Sequence, residues 1–177
     1  MGLDSLEIVM GWEEAFGISI SDAEAERLRT PRQCIDLIAT KLAARDVPRA
    51  ACLTLRAFHR LRHSIASAAN VARDRVRPDA RLRDLVSTDR RRTWQAVRSA
   101  CGISRLPGVA WFWLLPRTVG DLTRWTITRA AKDLKQPGEP WTRSEVRSVV
   151  RAVVADATGV QDFKDDHDFI HDIGVDR

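Results

Sequence analysis

The residues of this chain able to do chemistry are few. Asp4-Ser5-Leu6 places a hydroxyl beside a carboxylate where an amphipathic helix begins. Asp4 and Ser5 there are both common types for a helix cap. His59 and His63 stand four apart and could form one edge of a metal site, but no cysteine or carboxylate lies near them in sequence, so they read as solvated. His167 and His171 sit among Asp165, Asp166, Asp168 and Asp172, an acidic stretch without the glycine or closing glutamate of a calcium loop. Arg90-Arg91-Arg92 and the arginines from Arg73 to Arg83 could hold phosphates, with Trp94, Trp111, Trp113 and Trp125 as stacking surfaces. Those tryptophans lie on apolar or helical segments, where burial is the usual fate, and nucleic acid is not an expected partner. No nucleophile–base pair, glycine-rich phosphate loop or metal-ligand cluster stands out, so the chain is read as a non-enzyme without a metal.

The elements that must position these residues all read as helices. Val146, Val149, Val150, Val153, Val154 and Ala157 repeat as one buried helix face, Thr142 and Glu145 have capping-box spacing ahead of it, and Gly159 stops it. A helix is expected from Leu3 to Phe16 with Leu6, Val9, Met10 and Phe16 inward, Glu7, Glu13 and Glu14 outward, and Gly17 as its end. Thr30-Pro31 opens another, with Cys34, Leu37 and Ile38 facing in. The middle carries helical patterns at Leu55 to Ala69, Arg91 to Cys101 and Val119 to Leu134, the last with a Thr118–Asp121 capping box. Arg73 to Asp79 reads as a loop and Gln136 to Pro140 as a linker. No run of alternating β-branched residues competes, so the expected class is all-α.

Composition agrees. The 177 residues, 44% hydrophobic and 30% charged, can build one or two hydrophobic cores. The longest apolar run, Gly108 to Leu115, is far shorter than the ~20 residues that span a bilayer, and Ala110 to Leu115 is expected in the core. Asp4 and Glu7 stand where a secretory signal would be basic, and Cys34, Cys52 and Cys101 form no pairing pattern. A reducing cytoplasm is the expected setting. Charge is divided: residues 1–45 carry 5 Lys+Arg against 8 Asp+Glu, residues 46–140 carry 19 against 8, and residues 141–177 carry 5 against 8. Two acidic ends flank a basic middle, and opposite charges favour their docking.

Gly2-Leu3-Asp4-Ser5-Leu6, followed by Glu7 to Met10 and Glu13 to Ile18, resembles the acyl carrier proteins, which carry Asp-Ser-Leu at the start of their second helix. Ile20 to Glu26, Thr30-Pro31 and Ile35 to Ile38 resemble the family's later helices. The family's first helix and long loop are matched at the other end, by Val146 to Val160, Phe163, Asp165-Asp166, Phe169-Ile170 and Asp172 to Asp176. The resemblance thus implies one carrier domain in permuted order, residues 1–45 plus 141–177, closed within a chain or between two chains as a domain-swapped homodimer. Residues 46–140 resemble a degraded copy: Ile65 to Val71, Val76 to Leu85, Val97 to Ile103 and Arg117 to Leu122 follow the same plan. Thr88-Asp89-Arg90-Arg91 stands where the serine would be.

The family implies 4′-phosphopantetheine attached to the serine hydroxyl by a phosphopantetheinyl transferase, with acyl or aminoacyl thioesters exchanged among acyl-transferring enzymes. On this chain that assigns Ser5, with Asp4, to the cofactor and Glu7, Glu13 and Glu14 to partner docking. The service implied is fatty acid or secondary metabolite biosynthesis. The stretch from Ser5 to Phe16 is about one helical turn shorter than the family's, so Gly2, or Arg177 from the other side, competes for the modified position. If Gly2 holds it, the domain is an unmodified carrier-fold module; the alternative is then a cofactor-free interaction module whose basic middle meets an acidic carrier, a partner enzyme or an anionic surface.

Overall fold

The computed structural model describes residues 2–46, 52–86, 89–108 and 116–176. Among the described residues the fold is all-α, and extended pairing is confined to two isolated bridges, Arg45 with Thr142 and Arg81 with Thr118. The chain divides into two compact units: Met1–Ala50 with Lys135–Arg177, and Ala51–Leu134.

The first unit is built from α1 (Leu3–Phe16), α2 (Asp22–Ala25), α3 (Pro31–Lys41) and α8 (Arg143–Thr158). Both α1 and α3 pack on α8. The valine stripe of α8 supplies the centre of this core, Val146, Val149, Val150, Val153 and Val154 all being buried. Ile8, Trp12 and Phe16 meet it from α1, and Cys34, Ile35 and Ile38 from α3. Burying valine-sized and larger side chains on this scale, at ~1.5–3 kcal/mol each, holds short helices that would be marginal alone. Thr142 Oγ1 accepts from Glu145 N at 3.2 Å while the Glu145 carboxylate accepts from Thr142 N at 2.9 Å, the reciprocal cap the spacing predicts. Thr30 caps α3 in the same way with Gln33, and Gly17 and Gly159 end α1 and α8 in the left-handed conformation.

First and last segments are also tied by backbone. Arg45 N donates to Trp141 O at 2.8 Å, Arg32 N to Asp165 O at 2.8 Å, and Phe169 N to Arg29 O at 2.9 Å. Ion pairs flank these ties: Arg32 with Asp166, Arg143 with Asp36, and Asp165 with both Arg147 and Arg151. Beneath them Lys135, its side chain 7% exposed, reaches Glu145 at 2.8 Å and Glu139 at 3.2 Å.

The second unit comprises α4 (Leu53–Ala69), α5 (Leu82–Leu85), α6 (Arg90–Cys101) and α7 (Val119–Ala130), with α4 packed on α6 and α7. Leu61, Ile65, Trp94, Val97, Val119 and Leu122 fill its core. Trp94 Nε1 donates to Pro107 O at 2.8 Å, so the buried indole is satisfied. The helical pattern expected to Leu134 changes at Ala131 to a tighter 3₁₀ turn, Ala131–Leu134, and part of the expected loop is a 3₁₀ turn, Arg73–Arg75. Cys34 and Cys101 are buried packing residues, and burial pushes both thiols up, Cys34 beyond the ordinary thiol range. Thr88 and Ala110 to Leu115, with Trp111 and Trp113, lie outside the described residues, as does Arg177. No helix among the described residues is long and apolar enough to cross a membrane.

Candidate functional site

The N-terminus of α1 is where the first unit's two segments meet. Its N-cap is Gly2, which has no side chain to offer, so the cap reading of Asp4 and Ser5 is corrected: both lie inside the first turn. The missing acceptor comes from the far end of the sequence. Asp176 accepts from Gly2 N at 3.0 Å, from Ser5 N at 3.2 Å and from the Ser5 hydroxyl, and its own N–H donates to Asp4 at 3.2 Å. The Ser5 hydroxyl, with help from the backbone N–H groups of Ser5 and Gly2, holds the Asp176 carboxyl below the usual range. Asp176 adopts φ +62°, uncommon for a residue with a side chain, and the clasp fixes it there. A Cβ on Gly2 would stand 2.3 Å from Asp176 Cγ, so the clasp in this form requires glycine at position 2.

Beside Ser5 opens a cavity of about 250 Å³, which Ile8, Trp12, Leu28, Phe169 and Val175 wall with apolar surface. Ser5, Glu26, Arg29, Asp168 and Asp176 supply its polar lining. Phe169 belongs to a single π-helical turn, Phe169–Ile173, capped by Asp168, which accepts from Ile170 N and His171 N at 2.9 Å each. The acidic stretch around His167 and His171 is spent on structure: Asp168 caps, Asp165 and Asp166 pair with arginines, and His167 accepts from Lys164 N at 3.3 Å.

The three glutamates differ. Glu7 is exposed, whereas Glu13 is half-buried and accepts from Ile20 N at 2.7 Å, fixing the turn after α1; Glu14 is half-buried. The inward face expected for α1 also needs correction: Leu6 is 45% and Met10 50% exposed. Phe16 is buried as expected, but Ile8, Trp12 and Ala15 share its inward face in place of Leu6 and Met10. At 100° per residue the helix carries two apolar stripes on nearly opposite faces, and the one with Trp12 and Phe16 buries more area. Leu3, 71% exposed, joins Leu6 and Met10 in an outward stripe beside Glu7. The i, i+3, i+7 spacing of that stripe is visible in the sequence, but its orientation follows only from which face meets α8.

Comparison with known proteins bears on this arrangement. Over 42 residues, 24% of the chain, the sequence is 50% identical to an acyl carrier protein of Thermosynechococcus vestitus. A segment of this chain is acyl-carrier-like. The match covers 52% of that protein, so the chain spans about half the length of the curated relative it matches. No family model and no solved structure matches.

Proposed function

We propose that the first unit is a carrier domain in permuted order and that Ser5 is its attachment point for 4′-phosphopantetheine. One observation carries the reading: a serine hydroxyl stands at the N-terminus of an acidic helix, at the mouth of an apolar cavity, where both ends of one helical bundle converge. The helix dipole favours a phosphodiester there, and the cavity is of a size to shelter part of an acyl chain. Glu7 and the outward stripe of Leu3, Leu6 and Met10 form an edge for basic partner enzymes, with Asp4 and Glu14 beside it, while Glu13 serves mainly to hold Ile20. Once a phosphopantetheinyl transferase has loaded the cofactor, the protein carries acyl or aminoacyl thioesters among acyl-transferring enzymes in the cytoplasm, without catalysing a reaction itself.

A second reading is favoured by one detail of the seam. Asp176 already occupies the anion position at the α1 N-terminus and holds the Ser5 hydroxyl, one turn from the N-cap that Gly2 fills. A phosphodiester on Ser5 must displace that carboxylate. On this reading the unit is a cofactor-free module that uses the carrier fold for recognition. The second unit fits the same description: Asp89 caps α6 and Arg90 follows it, so no hydroxyl stands at that position. Intact mass after incubation with a phosphopantetheinyl transferase and coenzyme A separates the two. A gain of one phosphopantetheine group, lost in Ser5→Ala, supports the first reading; an unchanged mass leaves the second.

A further inference from the structure

The cavity beside Ser5 carries more charge in its lining than an attachment point needs. Its walls are apolar, with aromatic surface from Trp12 and Phe169, whose ring centroids are 6.2 Å apart. Trp12 Nε1 donates to Val150 O at 3.4 Å, so the polar atom of the indole is already engaged and the ring offers carbon to a guest. A cavity of ~150 Å³ takes benzene, so about 250 Å³ suits an aliphatic chain of roughly six to ten carbons.

Charge decides which chain. Among the described residues the lining holds three carboxylates, Glu26, Asp168 and Asp176, against one guanidinium, Arg29, a net −2. Asp168 accepts from Ile170 N and His171 N, and Asp176 from Gly2 N, Ser5 N and the Ser5 hydroxyl. Those donors are neutral, so they fix the two carboxylates in place without cancelling their charge. They also hold both carboxyls below the ordinary aspartate range, His171 N–H foremost for Asp168 and the Ser5 hydroxyl foremost for Asp176. Arg29 acts on Asp168. Glu26 and Asp176 have no cation partner among the described residues, and Asp4, which accepts from Asp176 N at 3.2 Å, adds charge of the same sign. Apolar walls around charges of one sign focus the field towards a cation. A bare divalent ion would want about six oxygen ligands and would meet carbon instead.

We propose that this cavity binds an aliphatic chain ending in a cationic nitrogen, with the carbons against Trp12 and Phe169 and the ammonium among Glu26, Asp168 and Asp176. The site needs no cofactor, so the inference stands whichever reading of Ser5 holds. Where Ser5 is loaded, the same lining favours aminoacyl over plain acyl cargo.

Isothermal titration calorimetry of the unmodified full chain at ~20 mM salt, with hexylammonium, hexanol and hexanoate as ligands, tests it. Hexylammonium should bind at least ~5-fold more tightly than hexanol, and hexanoate should bind most weakly. From butylammonium upward each added methylene should tighten binding ~4-fold, and the gain should stop at about ten carbons, where the cavity is full. Glu26→Gln should weaken hexylammonium and leave hexanol unchanged, whereas Arg29→Gln should tighten hexylammonium. Both residues are exposed, and unchanged circular dichroism verifies that the variants fold. Val9→Phe, which adds bulk at a half-buried lining position, should weaken all three ligands together. No binding of hexylammonium at millimolar concentration, a preference for hexanol or hexanoate, or affinities indifferent to Glu26→Gln and Val9→Phe overturns the proposal. Because the protein is unmodified throughout, none of these outcomes bears on whether Ser5 accepts the cofactor.

Discussion

Gly11 sits in the middle of α1, where its Cα faces α8, and a Cβ built there would come within 2.7 Å of Val153 Cγ1. In an exposed helix, Gly→Ala stabilises by roughly 0.5–1 kcal/mol. Here the added methyl must move Val153, which is 4% exposed and, as a β-branched residue in a helix, has essentially one χ1 rotamer to occupy. Overpacking of this kind costs about 1–3 kcal/mol, so Gly11→Ala should destabilise by a net ~1–2 kcal/mol despite the better propensity. Val153→Ala removes the obstructing atom and leaves a small cavity. In the double variant the methyl added to α1 fills part of that space, so the two changes should cost less together than their sum by ~1 kcal/mol. Urea unfolding of the full-length parent, both single variants and the double variant yields the coupling directly. If Gly11→Ala stabilises, or if the two changes are additive, α1 does not lie against α8. The joining of the first and last segments into one core would then be wrong.

The remaining predictions concern the same unit. Lys135→Ala should destabilise by about 3 kcal/mol because it leaves the buried Glu145 carboxylate without its cation, whereas Lys135→Met combined with Glu145→Gln, which removes both charges and keeps an acceptor for Thr142 N–H, should cost less in the same denaturation assay. Thr142→Ala removes the α8 cap and should cost ~1 kcal/mol, with faster amide exchange in the first turn of α8. The carboxyls of Asp166 and Asp176 are held low by Arg32 and by Ser5 respectively; that of Asp165 is raised by burial but lowered further by Arg147 and Arg151. Since these groups titrate lower folded than unfolded, their contribution is complete above about pH 4 and disappears as pH falls through the folded values. Acid titration followed by circular dichroism should therefore show helix loss beginning below about pH 4, and Arg147→Gln should move that onset upward.

Much of this fold was legible because the helix signals are local. Thr142 with Glu145, Thr118 with Asp121 and Thr30 before Pro31 each fix a helix start from residues three apart or fewer, and Gly17 and Gly159 fix two ends by tolerating positive φ. What failed to show was set by distant partners. Leu6 and Met10 are as apolar as Ile8 and Trp12, and only the valine face of α8 decides which pair turns inward. The cap of α1 is a residue 174 positions from Gly2, so no reading of the first turn could supply it. Glu13 is of the same type as Glu7, yet the return of the chain at Ile20 converts it from a surface charge to a turn acceptor.

The order of synthesis follows from the same arrangement. At ~5–20 residues per second, the ribosome takes on the order of 10 s to proceed from Arg45 to the start of α8, where Arg45 N–H and C=O will bond on either side of the cap residue Thr142. Throughout that interval Ile8, Trp12, Phe16 and Ile38 have no valine surface to cover them. Ala51–Leu134 emerges meanwhile with its sequence complete. The newborn amino-terminal segment thus spends its first seconds as a sticky, half-finished object, and nascent-chain crosslinking should find chaperones on Trp12 until α8 leaves the exit tunnel.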